Sequence, residues 1–330
     1  MQNNLPLLQD LGDLSGARVL VRVDFNVPVS GGRVVDDFRI KAALPTIEFL
    51  KKAGAKVVLA SHFGSKEGND FKLVSDHLKN IVPHTYIPSI DMVVIGEHIG
   101  MMALGDVALL TNLRFWRGEE TAEKYFAIDF CRLFDFYVNE AFAVSHRAHA
   151  SIVLFPTHLK SAAGLRFFDE VKNLSLAFEP EEPFLVILGG AKFETKEPLI
   201  SKFLSTATNV FIGGALANDF FKQQGLEVGI SLLSSPPLLI SEDIFSNPKL
   251  LLPIDVTVML PDKSVVIKKP DQVMKDEKIV DIGPASVEML QKYAENAKLI
   301  IWNGPMGIYE EGIVTQTEEL GIAIAESEGV

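Results

Sequence analysis

Short runs of apolar, largely β-branched residues recur along the chain, separated by segments whose apolar residues repeat with a helical period. The strand-like runs lie at 17–27, 56–60, 107–110, 136–138, 184–188, 210–213, 250–259, 265–267 and 299–302. The helical patterns lie at 40–53, 122–134, 196–205, 286–297 and 317–325. Because strands that are apolar on both faces need helices on both sides of the sheet, this alternation predicts an α/β protein with parallel sheets.

A break near Gly164 divides the pattern into two halves. The helical pattern at 165–178 is followed by EPEEP at 179–183, which ends it, and a strand-like run begins at once. We expect two doubly wound parallel-sheet (Rossmann-like) domains, at 1–163 and 183–330, joined by a hinge helix and linker at 164–182. Pro45 inside the first helical pattern predicts a kink or the start of a second helix.

Composition narrows the classes of protein. The 330 residues suffice for two domains and large cores. The formal charge of −12 argues against binding to bulk nucleic acid or anionic membranes. The single cysteine, Cys131, allows no intrachain disulfide and no cysteine-based zinc site, which suits a reducing cytoplasm. We find no signal peptide and no membrane-spanning segment, so the sequence predicts a cytoplasmic protein.

The glycines predict a nucleotide site in the second half. No two glycines are spaced i, i+2, so the dinucleotide fingerprint G-x-G-x-x-G is absent, and so is the Walker A motif. Instead, glycine-rich turns end three apolar runs, at 188–192, 212–215 and 302–307. In parallel α/β sheets ligands bind beyond the carboxyl ends of the strands, where small residues let a phosphate or a flat base approach the backbone.

The first half carries a different set of residues. All seven histidines lie at or before His158, and all nine arginines at or before Arg166. Polar groups follow several strand-like runs, and the residues concerned are Asp24, Asn26, Arg39, His62, Arg114 and Arg147. Guanidinium groups match carboxylate and phosphate oxygens. We therefore expect one edge of the first sheet to bind a small, multiply anionic molecule, with Arg39, Arg114 and Arg147 converging with His62 on one face of the first domain.

The segments VRVDFNVP, DFRIKAALPTIEFL, SHFG, NLRF, HRAHAS, LGGAK and WNGPMG resemble those of the phosphoglycerate kinase family, in the same order, from near Ala17 to the C-terminus. The resemblance implies a two-domain α/β enzyme with a hinge. It would transfer phosphate reversibly between ATP and the carboxylate of 3-phosphoglycerate in glycolysis, forming 1,3-bisphosphoglycerate and ADP. Since the two sets of motifs fall in different halves, we expect the domains to close on each other during transfer.

The resemblance also implies roles for individual residues. The residues expected to bind 3-phosphoglycerate are Asp24, Phe25, Asn26, Arg39, His62, Arg114 and Arg147. The expected catalytic residues are Arg39, Lys192 and Lys196. The residues expected to bind the nucleotide are Gly190, Lys196, Gly213, Gly214, Asn303, Pro305 and Glu310. Mg²⁺ would arrive with ATP or ADP, no side chain of this chain is assigned to a metal, and the family expectation is a monomer.

This sequence departs from the family pattern at several positions. Ser65 stands where arginine usually follows SHFG, Ala215 replaces the third glycine of GGG, and Ile279 replaces a small residue. The chain ends at Gly329 and Val330, where the family's final strand and its magnesium-holding GGGDT loop would begin. We expect residues 1–330 alone to bind 3-phosphoglycerate better than they catalyse.

Two further hypotheses remain open from the sequence. A truncated, non-catalytic protein would keep the anion-binding residues and bind substrate without turnover. A nicotinamide-dependent dehydrogenase is disfavoured because the sequence contains no G-x-G.

Overall fold

The computed structural model describes residues 5–64, 71–190, 193–235, 239–327 and 329, excepting the side chains of residues 193–195 and 310. The chain forms two compact units, Met1–Asn173 and Leu174–Val330. The division falls inside the helix Leu165–Ser175, close to the break read from the sequence. The domain limits of 163 and 183 stay a prediction.

The first unit is built on a six-stranded sheet in which every neighbouring pair is parallel. Its strands, from edge to edge, are Thr85–Ile87, Val107–Leu110, Lys56–Ala60, Arg18–Arg22, Phe136–Asn139 and Lys160–Ala163. Val19 and Val21 pack in one apolar cluster and Leu20 in another, on the opposite face. The middle residues of the central strands are apolar because both faces of the sheet are buried.

Helices cover both faces of this sheet. The α-helices are Phe38–Ala42, Leu44–Lys52, Lys72–Leu78, Met92–Met101, Arg117–Glu120, Lys124–Cys131, Ala150–Val153, Phe155–His158 and Leu165–Ser175. Three 3₁₀ turns are Leu8–Leu11, Leu113–Phe115 and Phe142–Val144, and a two-residue ladder joins Val29–Ser30 to Arg33–Val34. The pattern at 40–53 is two helices, as Pro45 predicted, with the proline in the first turn of the second one.

Cys131 ends one of these helices and is 4% exposed, among aromatic side chains such as Phe130 and Phe134. Burial raises the pKa of its thiol to about 12. The thiol is therefore protonated and enclosed at neutral pH.

The second unit contains a parallel sheet of four strands, in the order Leu250–Leu251, Asn209–Ile212, Phe184–Leu188 and Leu299–Asn303. Its α-helices are Phe193–Thr206, Gly214–Gln223, Glu242–Phe245, Pro284–Asn296 and Thr315–Ala325. Its 3₁₀ turns are Leu176–Phe178, Pro270–Gln272 and Tyr309–Glu311. Phe184 and Val186 face one apolar cluster, and Leu185 and Ile187 face the other. The α/β class predicted from the sequence is confirmed.

A second sheet in this unit differs from the prediction. The strands Val265–Lys268, Val256–Met259 and Lys278–Ile282 form an antiparallel sheet. The apolar run at 250–259 is therefore not one strand, because it divides between the two sheets around Pro253, which has no N–H to donate to a ladder. In the part of the chain that the structure describes, no helix has the length and apolar character needed to cross a membrane.

Candidate functional site

Three neighbouring strands of the first unit end at one edge of its sheet. Arg22 pairs in register with Ala60 on one side and Asn139 on the other. The residues that follow each strand therefore meet at the carboxyl edge, where ligands bind in open α/β sheets.

The loops at this edge are joined by hydrogen bonds. The Gly64 N–H donates to Asn26 Oδ1 at 3.0 Å, and the guanidinium of Arg114 donates to the Gly64 carbonyl. The Phe63 N–H and carbonyl both bond to the side-chain amide of Asn112, which starts the turn that carries Arg114. Asn26 and Arg114 are thus brought together although they lie far apart in the sequence.

Arg39 lies in the first turn of the helix Phe38–Ala42. Its Nη1 donates to Asp24 Oδ2 at 2.9 Å and to the Asn26 carbonyl at 3.3 Å. The Arg39 side chain is half exposed, whereas that of Asp24 is nearly covered. Nη2 and Nε of Arg39 make no hydrogen bond within the described residues. Asp24 therefore fixes the guanidinium while leaving most of its donors available to a ligand.

Two other predicted residues are placed differently. The Phe25 side chain is fully buried in the core, and its N–H donates to Ser61 Oγ at 2.9 Å, so its ring does not reach the edge. Arg147 is half buried in the loop that precedes Ala150–Val153, and its guanidinium acts electrostatically on His62. In the described chain this guanidinium has no hydrogen-bond or ion-pair partner. Ser65 lies outside the described residues.

His62 lies at this edge, 4% exposed, with Nδ1 at 3.2 Å from Arg22 Nη2. Burial, together with the cationic charges of Arg22, Arg114 and Arg147 and a smaller contribution from His149, lowers the pKa of its imidazole to about 3. His62 is therefore neutral at physiological pH.

Sequence reasoning missed the group of residues behind His62. Arg22 is 1% exposed and donates from Nε to Ser151 Oγ at 3.1 Å. Ser151 Oγ donates to Glu119 Oε1 at 2.6 Å, and its N–H to Oε2 at 2.9 Å. The one available signal was an arginine at the end of a strand that is otherwise apolar. A buried cation needs such a partner network.

The second unit contains a cavity of about 540 Å³ between the glycine turns of the parallel sheet and the antiparallel sheet. Gly190, Gly214 and Pro305 line one side. The departures Ala215 and Ile279 line it too, so they shape its volume directly. Its apolar wall comes from Ala217, Phe221, Val256, Ile282 and Met306. An apolar slot of this size with backbone groups at one end suits a flat base joined to phosphates.

The glycine turns pack backbone against backbone. A β-carbon on Gly189 would lie 2.2 Å from the Pro305 carbonyl oxygen, and one on Gly214 would lie 2.8 Å from the Gly190 nitrogen. Gly214 also has a φ of +59°. A β-carbon on Gly213 would lie 2.5 Å from Met306 Sδ. No side chain fits at these positions, so the turns present main-chain groups to the cavity.

The remaining predicted nucleotide residues fall into three groups. Lys196 lies on the helix Phe193–Thr206 and donates from Nζ to the Gly189 carbonyl, and burial lowers its pKa. Asn303 is exposed at a strand end, and its carbonyl accepts from the Gly189 N–H at 2.8 Å. Lys192 and the side chain of Glu310 lie outside the described residues. Across the described side chains, no group of three His, Cys, Asp or Glu is arranged to hold a metal ion.

Asp281, 3% exposed, also lines the cavity. Its Oδ1 accepts from the Ile282 N–H at 2.8 Å. Burial raises the pKa of the carboxyl to about 7, outweighing the N–H groups of Ile282 and Gln316, which favour the charged form.

We expect Asp281 to make the second unit less stable as pH rises. Between its ordinary pKa of 3.8 and about 7, the folded state holds a proton that the unfolded state has lost. The unfolding free energy therefore falls through this range, by on the order of 4 kcal/mol, and is level above it. Urea denaturation followed by the fluorescence of Trp302, in a background that carries Trp116→Phe, should show this slope with Asp281 present but not in Asp281→Asn. The exposed Asp276→Asn should keep the slope, and equal slopes in all three proteins would contradict the prediction.

Comparison with known proteins supports the resemblance seen in the sequence. The family model for phosphoglycerate kinase matches residues 8–330. The phosphoglycerate kinase of Dictyoglomus turgidum is 40% identical, over 96% of this chain and 84% of that protein. That of Pseudothermotoga lettingae is 38% identical, over 96% and 85%.

Solved structures agree with the sequence comparison. The phosphoglycerate kinase structure from Pyrococcus horikoshii superposes with a TM-score of 0.88 at 28% identity, covering 98% of this chain and 87% of that one. The structure from Coxiella burnetii gives a TM-score of 0.79 at 30% identity, covering 98% and 86%. The family match, the relatives and the fold agree, and the chain belongs to the phosphoglycerate kinase family.

Proposed function

We propose that this protein catalyses reversible phosphoryl transfer between ATP and the carboxylate of 3-phosphoglycerate, forming 1,3-bisphosphoglycerate and ADP. The observation that carries the proposal is the cluster at the carboxyl edge of the first sheet. There Asp24 holds Arg39, and Asn26 and Arg114 bond to the same glycine, beside His62. This is a set of hydrogen-bond donors suited to a small molecule with two anionic groups.

The second half of the proposal concerns the nucleotide. The cavity of the second unit has an apolar wall for a base, and Gly190, Gly214 and Pro305 at one side. Lys196 lies beside the same turns. We assign the nucleotide phosphates to Lys192 and Lys196, and the rest of the nucleotide to Gly213, Asn303 and Glu310, on the family pattern. Magnesium bound to the nucleotide would neutralise part of the phosphate charge.

The proposed reaction requires little covalent chemistry from the protein itself. The acceptor carboxylate is ionised at neutral pH, so the reaction needs no general base. The barrier falls when the acceptor oxygen is aligned with the phosphoryl group and cations stabilise the transferring oxygens. In this proposal Arg39 orients the acceptor carboxylate, and Lys196 stabilises the phosphoryl group.

We propose a cytoplasmic monomer, because one chain carries residues for both ligands and its lone cysteine suits a reducing compartment.

A direct test uses the reactivity of the product. An acyl phosphate reacts with hydroxylamine to give a hydroxamate, so the purified chain should form hydroxamate from ATP and 3-phosphoglycerate together. Glycerate, which has the carboxylate but no phosphate, should give far less product. Saturable binding of 3-phosphoglycerate without hydroxamate formation would contradict the proposed activity.

A further inference from the structure

The contact between Arg22 and His62 has a defined direction. Arg22 Nη2 lies 3.2 Å from His62 Nδ1. A guanidinium has donors and no acceptor, and it stays protonated in proteins. His62 Nδ1 must therefore accept this hydrogen bond, which it can do only without its own proton. A neutral imidazole with an unprotonated Nδ1 carries its proton on Nε2.

Two other hydrogen bonds fix the Arg22 guanidinium in its orientation toward His62. Nε donates to Ser151 Oγ, and Nη1 donates to the Val23 carbonyl at 2.6 Å. Ser151 Oγ can accept from Arg22 because its own proton goes to Glu119 Oε1. The buried Glu119 carboxylate thus orients the hydroxyl, and the hydroxyl orients the guanidinium. Each hydrogen bond from Glu119 through Ser151 and Arg22 to His62 has only one possible donor. These directions together determine the tautomer of His62.

The groups around His62 keep the ring neutral. Arg22, Arg114 and Arg147 are cations within electrostatic reach, His149 is a fourth basic neighbour, and all four disfavour a charged ring. The buried carboxylate of Glu119 is linked to Arg22 through Ser151 and also lies 3.9 Å from His149 Nδ1. Nε2 of His62 makes no hydrogen bond within the described residues.

We propose that Arg22 is a positioning residue that holds His62 in its neutral Nε2–H tautomer, so that His62 meets the anionic ligand as an uncharged hydrogen-bond donor. The identity of that ligand as 3-phosphoglycerate rests on the proposed function. The arginines then supply the electrostatic attraction to the anion. His62 instead orients the ligand, because an N–H on a fixed ring can bond one oxygen in one orientation. His62 then gives the affinity no pH dependence between about pH 5 and 8.

The tautomer can be read from the protein without any ligand. In ¹⁵N-edited NMR spectra of the imidazoles, His62 should show a protonated Nε2 and an unprotonated Nδ1, unchanged from pH 5.5 to 8. The signal is assigned by its loss in His62→Gln. A proton on Nδ1, or a titration of the His62 signal within this range, would overturn the proposal.

A pair of substitutions tests the donor position. The side-chain nitrogen of glutamine reaches the place of Nε2, whereas that of asparagine reaches only the place of Nδ1. His62→Gln should therefore bind 3-phosphoglycerate at least about tenfold more tightly than His62→Asn, a difference of about 1.4 kcal/mol. His62→Gln should also keep the wild-type pH dependence of Kd between pH 5.5 and 8. Equal affinities of the two variants, or a pH dependence lost in His62→Gln, would overturn the neutral-donor role.

Arg22→Lys tests the positioning residue itself. Lysine keeps one positive charge but cannot make the three separate bonds of the guanidinium, so the His62 signals should show both tautomers. A single Nε2–H tautomer in a folded Arg22→Lys protein would contradict the role of Arg22. If Arg22→Lys does not fold, the wild-type spectra and the glutamine–asparagine pair still decide the tautomer and the donor role. Failure of the wild type to bind 3-phosphoglycerate would count against the proposed function, while the ligand-free spectra would still test the tautomer.

Discussion

We expect replacement of Arg39 by alanine to lower kcat/KM for 3-phosphoglycerate by about 10²–10³-fold, as for loss of one charge-stabilising donor. Asp24 and the Asn26 carbonyl bond to Nη1 alone, so the other donors of a fixed Arg39 side chain stay available to a ligand. Alanine removes both the charge and the planar fork. Initial rates at varied 3-phosphoglycerate and saturating ATP give the change in kcat/KM.

Two further variants show whether that loss comes from the guanidinium of Arg39 or only from the change in net charge. Arg39→Lys should recover only part of the loss, because one ammonium group cannot reproduce two parallel hydrogen bonds. Arg132→Ala removes an exposed arginine paired with Asp129 and changes the net charge equally, so it should leave kcat/KM unchanged. An unchanged rate in Arg39→Ala would exclude Arg39 from the mechanism.

We expect Lys196→Ala to lower kcat by a similar factor, about 10²–10³-fold. The Gly189 carbonyl holds Nζ beside the turns that line the cavity, and burial of the side chain strengthens its interaction with a developing negative charge. The loss should fall mainly on kcat and less on nucleotide affinity, because the charge on the transferring oxygens changes during the reaction. Single-turnover rates and ADP binding by calorimetry separate the two quantities.

Lys202→Ala is the matched control for this experiment. Lys202 is exposed on the same helix, Phe193–Thr206, so its loss removes a lysine without touching the cavity. Lys196→Ala with normal kcat and a raised KM for ATP alone would limit Lys196 to nucleotide binding.

The sequence predicted where the strands of the parallel sheets lie better than it predicted which strands pair with each other. Strand 184–188 coincides with Phe184–Leu188, and Pro45 divided the first helical pattern as expected. The antiparallel sheet was missed because an apolar run does not encode strand direction. The signal lay in the connection between Val256–Met259 and Val265–Lys268, which is too short for a crossover and contains Lys263 at a φ of +68°.

The candidate site was predictable where it depends on strand ends. Polar residues that follow neighbouring parallel strands must meet at one edge, and Asn26, His62 and Arg114 do so. The network behind them was not predictable, because Arg22 and Ser151 lie far apart in the sequence and no local pattern pairs them. Phe25 was predicted as a site residue because it belongs to a site motif, but its ring lies in the core. Successive side chains of an extended segment point to opposite sides, so a residue next to site residues can face the core.

The enclosed thiol of Cys131 makes this protein suited to fluorescence labelling. A buried, protonated thiol reacts slowly with maleimides, and the chain has no other cysteine. A cysteine introduced at an exposed position such as Arg132 or Lys202 would therefore take a dye selectively, without prior removal of the native residue. One dye on each unit would allow energy transfer to follow single molecules as each ligand is added, in a protein whose interior remains unaltered.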